Sequence, residues 1–354
     1  MKKIILVLPT LNQGGAERVM SELANEWANN GHQIVIVLLT KSTLFYKLDS
    51  KIELVNLGFD IDENKIVKFF DSFNLLFKLR KYIKRNNPDF VLSFMDKYNI
   101  FTLIATSFLN VNIFVSDRNN PKGVIPKKIE LLKKLFYNNA KGIVAQTSLA
   151  KEILSNKTHH NNIRVIPNPI KNISNNSDIE KEKIILNVGR LVFEKGQHYL
   201  IEMMTHFKHE KWKLVILGDG PLREKLQSQI DELDLNDKVI LMGSVKNVDE
   251  WLNKSSIFAF SSISEGFPNA LIEAMVSGLA CVSFDCDAGP RDVLQNNING
   301  FLIPLHDINL FKNAVQKLIE NDNLRNKIGL EAYKVSDRLN IKKIAQEYLD
   351  FCLS

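Results

Sequence analysis

Short apolar runs alternate along the chain with segments in which apolar residues recur at a helical spacing. The first run, Lys3–Leu8, predicts a β-strand, and the segment after it predicts a helix over residues 16–30. In that helix Val19, Leu23 and Trp27 lie four residues apart, so they define one buried face. A second apolar run follows the helix. This strand–helix–strand order is typical of an α/β fold with a parallel sheet.

The same alternation continues to the end of the sequence. Further strands are predicted at residues 33–39, 89–94, 112–116, 142–146, 164–167, 184–188, 212–217, 239–241, 257–260, 280–284 and 301–303. Further helices are predicted at residues 65–85, 126–137, 198–207, 222–233, 248–253, 268–276, 308–320, 324–335 and 341–353. Residues 171–178 are rich in Asn and Ser and have no apolar period, which indicates a linker. The pattern therefore predicts two successive Rossmann-like domains, residues 1–168 and 183–338, joined by a linker at residues 169–182.

One stretch of the second series carries most of the candidate chemistry. Ser264–Met275 follows an apolar strand and is typical of a tight turn that leads into a helix. On that helix Asn269, Glu273 and Ser277 are four residues apart and form a narrow polar stripe among apolar positions. The amides of its first turn, Asn269–Leu271, are suited to binding a phosphate. An ordinary amphipathic helix with Glu273 in water has the same pattern, so this stretch alone leaves both interpretations open.

The length and apolar content suffice for two domains of this kind. The chain has 354 residues, 45% of them hydrophobic, and no apolar run of about eighteen residues that would predict a transmembrane helix. Its apolar start is interrupted at Pro9 without a small-residue cleavage site, which favours a strand over a signal peptide. Three cysteines predict no disulfide framework, so we expect buried thiols and a reducing, cytoplasmic environment.

Charge is distributed unevenly between the two halves. Residues 1–170 contain 24 Lys and Arg against 14 Asp and Glu, a net charge of +10, whereas the remainder contains 22 against 26, which gives −4. Pro126–Tyr137 carries lysine pairs around Leu and Phe, which suits a helix on anionic lipid. A merely solvated helix is the alternative. The basic half shows no recognisable nucleic-acid-binding module, so we expect an anionic membrane surface as its partner and no nucleic acid.

Two polar clusters follow predicted strands, where α/β folds bind ligands. Gly14-Gly15 comes after the first strand, at the place of phosphate-binding glycines, although a plain tight turn has the same residues. Ser116–Pro121 is a second cluster of this kind. Asp285-Cys286-Asp287 formally matches an Asp-x-Asp metal signature, but it ends a strand of the second series. The histidines show no ligand spacing, and we expect no bound metal.

Taken together, the motifs resemble glycosyltransferase family 4, the retaining transferases of GT-B architecture, over nearly the whole chain. The matching motifs are Gly14-Gly15-Ala16-Glu17, Gly189-Arg190-Leu191, Lys195-Gly196, Leu217-Gly218-Asp219-Gly220-Pro221, Ser264-Glu265-Gly266-Phe267-Pro268, Glu273-Ala274, Gly278 and Asn299-Gly300. Glu265 and Glu273 correspond to the family's pair of glutamates. The resemblance implies an α/β fold in which two Rossmann-like domains face each other across a cleft. It also implies that the C-terminal helix, residues 339–354, returns to the first domain.

The resemblance implies a role for each of these site residues. Arg190 and Lys195 would neutralise the donor diphosphate and stabilise it as a leaving group in place of a metal ion. Glu273 would accept hydrogen bonds from ribose hydroxyls, Glu265 would bind hydroxyls of the transferred sugar, and the base would stack near Val245. The phosphate cradle and the backbone beside Glu265 would be formed by Gly14, Gly15, Phe267, Asn269, Ala270 and Leu271. No cofactor is implied, because the UDP-sugar is the donor substrate.

The sequence departs from the family near the reacting carbon. Many relatives carry a histidine at the end of the strand that corresponds to residues 112–116, whereas this chain has Asp117-Arg118-Asn119. That pattern resembles a subgroup that assembles lipid-linked bacterial glycans and includes N-acetylgalactosamine transferases. We therefore expect Asp117 and Arg118 to contact the acceptor or the transferred sugar.

These observations predict a retaining glycosyltransferase, peripheral on the inner face of the cytoplasmic membrane. It would move a hexose or N-acetylhexosamine (GalNAc, GlcNAc, Gal or Glc) from a UDP-sugar to a lipid-linked surface glycan. Because no residue is an evident nucleophile, front-face substitution is expected, with the leaving phosphate helping to deprotonate the acceptor hydroxyl. Two alternatives are a non-hydrolysing UDP-sugar epimerase of the same architecture and an inactive glycan-binding subunit. The epimerase would convert a UDP-sugar without an acceptor.

Overall fold

The chain divides into two compact units. Unit 1 comprises Met1–Pro169 and Asn340–Ser354, and unit 2 comprises Ile170–Leu339. The computed structural model describes residues 1–12, 14–41, 44–58, 65–170 and 181–354, and it describes only the backbone of residues 65–71. Most of the predicted linker, residues 171–180, therefore lies outside the described residues.

Thirteen strands and fourteen α-helices occur in the described part of the chain. The strands are β1 Lys3–Leu8, β2 Gln33–Leu38, β3 Glu53–Asn56, β4 Phe90–Phe94, β5 Ile113–Ser116, β6 Gly142–Ala145, β7 Ile163–Val165, β8 Ile184–Val188, β9 Lys213–Leu217, β10 Val239–Gly243, β11 Ile257–Phe260, β12 Ala280–Asp285 and β13 Phe301–Pro304. The helices are α1 Gly15–Asn29, α2 Lys65–Asn86, α3 Asp96–Thr106, α4 Lys127–Phe136, α5 Ser148–Thr158, α6 Gln197–Met204, α7 Arg223–Glu232, α8 Val248–Lys254, α9 Asn269–Val276, α10 Pro290–Val293, α11 Ile308–Glu320, α12 Asp322–Tyr333, α13 Val335–Leu339 and α14 Ile341–Leu353.

Unit 1 is built on a parallel sheet with the strand order β3-β2-β1-β4-β5-β6-β7. The order reverses between β1 and β4, which pair in parallel with Ile4 opposite Phe90 and Val7 opposite Ser93. The central strands are almost entirely buried, which explains why they appear in the sequence as continuous apolar runs. In open sheets of this kind, ligands bind beyond the carboxyl ends of the strands at the reversal.

The C-terminal helix α14 packs into unit 1. Trp27 Nε1 on α1 donates to the carbonyl oxygen of Ala345 at 3.0 Å, and its ring lies edge-on to that of Tyr348, with centroids 6.4 Å apart. On the next turn of α14 the ring of Phe351 contacts Phe114, with centroids 5.3 Å apart. Aromatic rings bury large apolar areas, so these contacts make α14 part of the core of unit 1. The predicted buried face of α1 is confirmed, because Val19, Leu23 and Trp27 are fully buried.

Unit 2 has the strand order β10-β9-β8-β11-β12-β13, and every pair in the sheet is parallel. Its order reverses between β8 and β11, as the order of unit 1 does between β1 and β4. Apolar side chains of the strands and of α6, α7, α11 and α12 form one continuous core. Each unit is therefore doubly wound, and the predicted α/β class with two Rossmann-like halves is confirmed.

Five elements were missed by the sequence pattern: β3, α3, α5, α10 and α13. Helix α3 buries Asp96, Asn99 and Thr102 together with apolar residues on several faces, so it shows no amphipathic period. Helix α5 begins with an N-cap at Thr147, whose side chain accepts a hydrogen bond from the Ala150 amide at 3.2 Å. That cap was a sequence signal for a helix, and the apolar pattern behind it was too weak to be recognised.

Candidate active site

Three loops of unit 2 meet at the carboxyl edge of its sheet, beside the strand reversal. In the loop after β8, the Gly189 amide donates to the carbonyl of Leu217 at 2.9 Å, and the Leu191 amide donates to that of Asp219 at 3.0 Å. Gly218 has φ of 140°, and a Cβ there would overlap the carbonyl oxygen of Gly189. Because residue 218 is a glycine, the loops after β8 and β9 can approach each other closely.

The loop after β11 packs against the turn that carries Lys195. Ser261 Oγ donates to the carbonyl of Lys195, and the Ile263 amide donates to that of Glu194, each at 2.9 Å. Gly196 has φ of 63°, and a Cβ there would overlap the carbonyl oxygen of Ser261. The Lys195-Gly196 pair noted in the sequence is thus a tight turn pressed against the neighbouring loop.

This packing brings together two residues that are seventy positions apart in the sequence. Lys195 Nζ lies 2.5 Å from Glu265 Oε1. Glu265 is buried at 8% exposure, whereas the side chain of Lys195 retains 24% exposure. The ion pair holds both groups at the mouth of the sheet, where a ligand can reach the lysine. Charged groups interact strongly in such a partly desolvated position.

Arg190 lies on the same loop, and its backbone is fixed while the residue is exposed. Its carbonyl accepts hydrogen bonds from the Val192 amide at 2.9 Å and from Gln197 Nε2 at 3.0 Å. Gln197 is buried at the start of α6. The backbone of Arg190 therefore has a fixed position beside the Lys195 turn, and its side chain is exposed to solvent.

Helix α9 presents its first turn at the same edge of the sheet. It begins at Asn269, one residue later than predicted, and Pro268 is the N-cap residue instead of the first helical residue. The turn before α10 comes close to it, because Gly289 has φ of 101° and a Cβ there would overlap the ring of Pro268. The half-buried positions of α9 are Asn269, Ala270 and Glu273, whereas Phe267, Leu271 and Ser277 are buried.

The predicted polar stripe of α9 is thus accessible at its N-terminal half. Ser277 turns back onto its own helix and donates to the Glu273 carbonyl at 2.9 Å. The first-turn amides of a helix lack intrahelical acceptors and lie at the positive end of its dipole. The arrangement therefore places Glu273 one turn behind a group of amides suited to an anion.

Two other predicted positions lie elsewhere in unit 2. Val245 is half-buried and follows β10, the edge strand two positions from β8 in the sheet. Asp285 is held by Arg291, whose Nε and Nη2 donate to its two carboxylate oxygens, both at 2.9 Å. The described residues contain no group of three or more His, Cys, Asp or Glu that could hold a metal ion. The three cysteines are buried free thiols, as predicted.

In unit 1, the predicted glycines lie at the junction of β1 and α1. Tyr46 Oη donates to the carbonyl of Gly14 at 2.8 Å and accepts from its amide at 3.2 Å. A Cβ at Gly14 would overlap the carboxylate of Glu17. Helix α1 begins at Gly15, one residue earlier than predicted. The two hydrogen bonds of Tyr46 therefore fix the backbone of Gly14.

Asp117 lies in a buried polar cluster at the end of β5. Lys133 Nζ forms an ion pair with Asp117 Oδ2 and lies 3.2 Å from Asp96 Oδ2, and Tyr137 Oη donates to Asp117 Oδ1 at 2.6 Å. Asn99 Nδ2 donates to the carbonyl of Ser116 at 3.0 Å. Lys133 is the buried residue of α4, so one lysine of the predicted lipid-facing pairs points into the protein.

The two carboxyl groups of this cluster differ in proton affinity. Burial, followed by the Asp117 carboxylate, raises the pKa of Asp96 to about 7, although Lys133 opposes the change. Burial acts in the same direction on Asp117, but Lys133 and the hydrogen bonds of the cluster hold the pKa of Asp117 below its usual value. Sequence reasoning did not single out Asp96, although it lies two residues after the apolar strand at 89–94, at the edge of the sheet where open parallel sheets bind ligands.

Arg118, the neighbour of Asp117, is occupied by contacts within unit 1. Its guanidinium lies 3.8 Å from the centroid of the Phe94 ring and forms hydrogen bonds to Asn168 and, at 2.6 Å, to Tyr348 Oη on α14. Burial lowers the pKa of this arginine. The arrangement makes Arg118 a tie between the end of β5 and the C-terminal helix.

The two doubly wound units define the GT-B architecture, and the family comparisons agree with it. Residues 13–171 match the model "Glycosyltransferase Family 4", and residues 169–335 match the model "Glycosyl transferases group 1". The chain belongs to glycosyltransferase family 4, and it is a glycosyltransferase.

Curated relatives cover most or all of the chain. An uncharacterized glycosyltransferase of Methanocaldococcus jannaschii is 34% identical over 68% of this chain and 69% of its own length. A Campylobacter jejuni enzyme is 28% identical over 99% of this chain and 98% of its own length. Its name is GalNAc-alpha-(1->4)-GalNAc-alpha-(1->3)-diNAcBac-PP-undecaprenol alpha-1,4-N-acetyl-D-galactosaminyltransferase.

Solved structures with the same fold extend over the full chain. A glycosyltransferase from Rickettsia africae has a TM-score of 0.83 at 20% identity and covers 99% of this chain and 97% of its own. An S. aureus TarM variant, in complex with fondaparinux, alpha-GlcNAc-glycerol and UDP, has a TM-score of 0.79 at 18% identity and covers 100% of both chains. The Anabaena HepE protein in complex with UDP has a TM-score of 0.80 at 16% identity and covers 99% of both.

Proposed function

We propose that this glycosyltransferase moves a hexose or N-acetylhexosamine, with retention of configuration, from a UDP-sugar to a lipid-linked bacterial surface glycan. The observation that carries the proposal is the Lys195–Glu265 ion pair at the strand reversal of unit 2. A cation and a buried carboxylate beside the first turn of α9 match the two ends of a sugar nucleotide, its diphosphate and its sugar hydroxyls.

In this proposal unit 2 holds the donor. Lys195 and Arg190 bind the diphosphate, and the amides of Ala270 and Leu271 add hydrogen bonds to it. Glu273 accepts hydrogen bonds from the ribose, and Glu265 accepts them from the transferred sugar. Asn269, the Phe267 backbone and Val245 line the remainder, and Gly14 and Gly15 contribute to the phosphate cradle as the family resemblance implies.

The chemical step is a substitution at the anomeric carbon. The bond from this carbon to the diphosphate oxygen breaks, the bond to the acceptor oxygen forms on the same face, and the hydroxyl proton passes to the departing phosphate. Lys195 and Arg190 stabilise the charge that develops on the leaving group, which is the largest electrostatic demand of the step. Asp117 acts on the acceptor side, within its buried cluster with Lys133 and Tyr137.

The donor and acceptor classes rest on the relatives. Two C. jejuni relatives are named as N-acetylgalactosaminyltransferases that use undecaprenyl-diphosphate-linked sugars, and two structural neighbours are complexes with UDP. We further propose that the protein works at the cytoplasmic face of the membrane. The exposed side of α4 supports this, because Leu131 and Leu135 are 58% and 59% exposed between lysines.

The test supplies the purified protein with UDP-GalNAc, UDP-GlcNAc, UDP-Gal and UDP-Glc, each with and without GalNAc–diacetylbacillosamine–diphosphate–undecaprenol. Mass spectrometry should show acceptor-dependent transfer from one donor, slow hydrolysis of that donor alone, and an α-linked product by NMR. Interconversion of two UDP-sugars without acceptor would instead identify an epimerase. Binding of a UDP-sugar by calorimetry without any turnover would identify an inactive subunit.

Two substitutions test the assignment of the donor site. Lys195→Ala should lower kcat by roughly 100- to 1000-fold, the loss typical of one stabilising group at a developing charge. Glu273→Ala should raise the KM for the UDP-sugar. The matched control is Lys208→Ala, which removes a lysine paired with Asp234 at 2.7 Å on the exterior of the same unit and should leave kcat unchanged. Near-normal transfer by the first two variants would refute the site assignment.

A further inference from the structure

A second cavity of ligand size lies in unit 1, at the carboxyl ends of β4 and β5. Its volume is about 390 Å³. Its lining includes the polar residues Asp96, Tyr98 and Asn119 and the apolar residues Ile125, Pro126 and Ile129. Ligand sites commonly combine such an apolar wall with a few polar groups, and this cavity lies at the edge of the sheet where open parallel sheets bind ligands.

Asp96 is held at this edge by a strained backbone. Met95, between β4 and α3, has φ of 74° and ψ of 131°, a conformation that a non-glycine residue rarely adopts. The strain is maintained by hydrogen bonds from the Met95 amide to the Ser116 carbonyl at 3.2 Å and from the Asn99 amide to the Met95 carbonyl at 2.8 Å. Backbone strain of this kind is concentrated at functional sites.

The carboxyl group of Asp96 is incompletely bonded. Its Oδ2 receives Lys133 Nζ at 3.2 Å, whereas its Oδ1 is buried and has no hydrogen-bond donor among the described residues. Both oxygens of Asp117, by contrast, are bonded, one by Lys133 and the other by Tyr137. An acceptor oxygen that the protein leaves without a donor in a cavity wall is suited to a ligand hydroxyl.

We propose that this cavity binds the sugar at the reacting end of the acceptor, and that Asp96 accepts a hydrogen bond from a hydroxyl of that sugar. The inference rests on the proposed function and adds the acceptor site to it. Asp117 is then a positioning residue, which holds Lys133 and Tyr137 so that Lys133 can orient the Asp96 carboxylate.

The surroundings of the cavity fit a sugar that is attached to a lipid diphosphate. Tyr98 supplies a ring for the apolar face of a pyranose, and the exposed Lys97 lies on the rim. Val124, also on the rim, is fully exposed and leads into α4, whose outer side carries Lys128 and Leu131. Sugar, diphosphate and lipid thus each meet side chains of matching chemistry along one continuous surface.

Acceptor binding should depend on pH through Asp96. Asp117 approaches it from the end of β5, Lys133 and Tyr137 from α4 and the turn after it, and Asn99 from its own helix. Burial, followed by the Asp117 carboxylate, raises the pKa of Asp96 to about 7 against the opposing effect of Lys133. Because the ionised carboxylate is the stronger hydrogen-bond acceptor, we expect the acceptor to bind more weakly below this pH.

Asp96→Asn provides the direct test, with GalNAc–diacetylbacillosamine–diphosphate–undecaprenol as acceptor. The KM for this acceptor should rise by roughly 10- to 100-fold, the effect of one lost hydrogen bond to a charged group. The inflection near pH 7 in kcat/KM for the acceptor should disappear, while the KM for the UDP-sugar and the rate of acceptor-independent hydrolysis stay unchanged. Asp89→Asn, at the opposite end of β4, should leave the acceptor KM unchanged.

A second variant fills the cavity without touching the buried cluster. Ile125→Trp should also raise the acceptor KM while donor hydrolysis continues, even if Asp96→Asn fails to fold. A wild-type acceptor KM and pH profile in Asp96→Asn, or a wild-type acceptor KM in a folded Ile125→Trp, would overturn the inference. Failure of the proposed function has a different signature, namely a wild-type protein that hydrolyses or transfers from no UDP-sugar.

Discussion

Asp96 and Asp117 show how strongly two identical side chains at one sheet edge can differ. Both are buried, and both lie next to Lys133. The lysine and Tyr137 engage Asp117 fully, so its pKa is held low, whereas Asp96 receives one hydrogen bond and its pKa rises to about 7. Neighbouring carboxyls whose proton affinities are driven apart are characteristic of functional sites.

The raised pKa of Asp96 has a direct consequence for stability. A carboxyl whose pKa is higher in the folded than in the unfolded protein stabilises the fold below the unfolded value of 3.8 and loses that contribution as pH rises through about 7. Asp96→Asn should therefore raise the Tm at pH 8, by roughly 9 °C or more, and raise it by clearly less at pH 5, where only part of the contribution is lost. The estimate uses about 1.4 kcal/mol for each tenfold change in proton affinity and about 2–4 °C per kcal/mol.

Asp89 supplies the control with the opposite sign. The Lys3 amide, at 2.8 Å, and Lys2 hold the pKa of Asp89 below its usual value, against the effect of burial. Its contribution to stability is thus present at pH 8 and is lost as pH falls. Asp89→Asn should lower the Tm at pH 8, where Asp96→Asn should raise it, and calorimetry of the two variants at pH 8 checks both signs. A Tm for Asp96→Asn below that of the wild type at pH 8 would contradict the assignment of the raised pKa.

At the scale of single residues, the sequence singled out the side chains of the proposed donor site more completely than those of the proposed acceptor site. Lys195 and Glu265 carry recognisable motifs, and the structure brings them to 2.5 Å. Asp117 was singled out because its motif departs from the family pattern, yet its oxygens are used within the protein. Asp96 has no motif, and its importance depends on burial and on partners that are up to 37 residues away in the sequence.

At the scale of elements, tight turns position the proposed donor site. Gly196 lets the turn of Lys195 press against the loop after β11, and Gly218 lets the loop after β9 touch the loop after β8. These contacts are made by backbone atoms, which cannot move aside as a side chain can. The geometry of the Lys195–Glu265 pair therefore depends on glycine at these positions as much as on the charged residues themselves.

Gly196→Ala tests this dependence. The added Cβ combines the strain of φ near 63° with an overlap with the Ser261 carbonyl, so we expect a loss of more than about 2 kcal/mol in the free energy of unfolding and a marked fall in kcat. The matched control is Gly278→Ala, where φ is 69° but the nearest atom is 4.0 Å from the added Cβ. Urea unfolding should show a loss near 1 kcal/mol for the control. Equal losses in the two variants would rule out the backbone overlap as the cause.

Helices α3 and α4 show where element prediction from the sequence succeeds and fails. Helix α4 was recognised from its pattern of Leu, Phe and Lys, but one of its own lysines, Lys133, is buried on the inner face of the helix. Helix α3 was missed because its polar residues point inward, to the cluster around Asp117. An apolar period predicts burial correctly only when polar side chains are outside, and a buried polar cluster inverts that relation.

At the scale of the whole molecule, net positive charge and exposed apolar residues are concentrated in unit 1. No helix in the part of the chain that the structure describes is long and apolar enough to cross a membrane. The first 170 residues carry a net charge of +10, and the outer face of α4 presents Leu131 and Leu135. An interfacial helix with lysines around exposed leucines gains both apolar burial and attraction to anionic lipids.

The full-length protein should therefore bind vesicles of phosphatidylglycerol and phosphatidylethanolamine in flotation assays, and high salt should weaken the binding. Reversing two charges, Lys127→Glu with Lys128→Glu, should reduce the affinity by roughly 30-fold or more, since each basic residue near the surface contributes about 1 kcal/mol. Leu131→Ser should also weaken it.

The control for the apolar contribution is Leu330→Ser, which removes an equally exposed leucine, at 71% exposure, from unit 2. It should leave vesicle binding unchanged. The proposed role of α4 fails if the Lys127 and Lys128 reversals bind vesicles as the wild type does. It also fails if Leu330→Ser is as impaired as Leu131→Ser.

The sequence by itself determined the α/β class, nearly all strands and the family, because buried strands leave apolar runs. Its short motifs of glycines and charged residues also singled out the residues of the proposed donor site. Only the tertiary structure decided which charged groups pair, that Arg118 ties β5 to α14, and that Asp96 keeps an oxygen without a donor. Those properties depend on partners far apart in the chain. The proton affinities of the buried charged groups follow from burial, which the chain acquires only when the strands and helices pack.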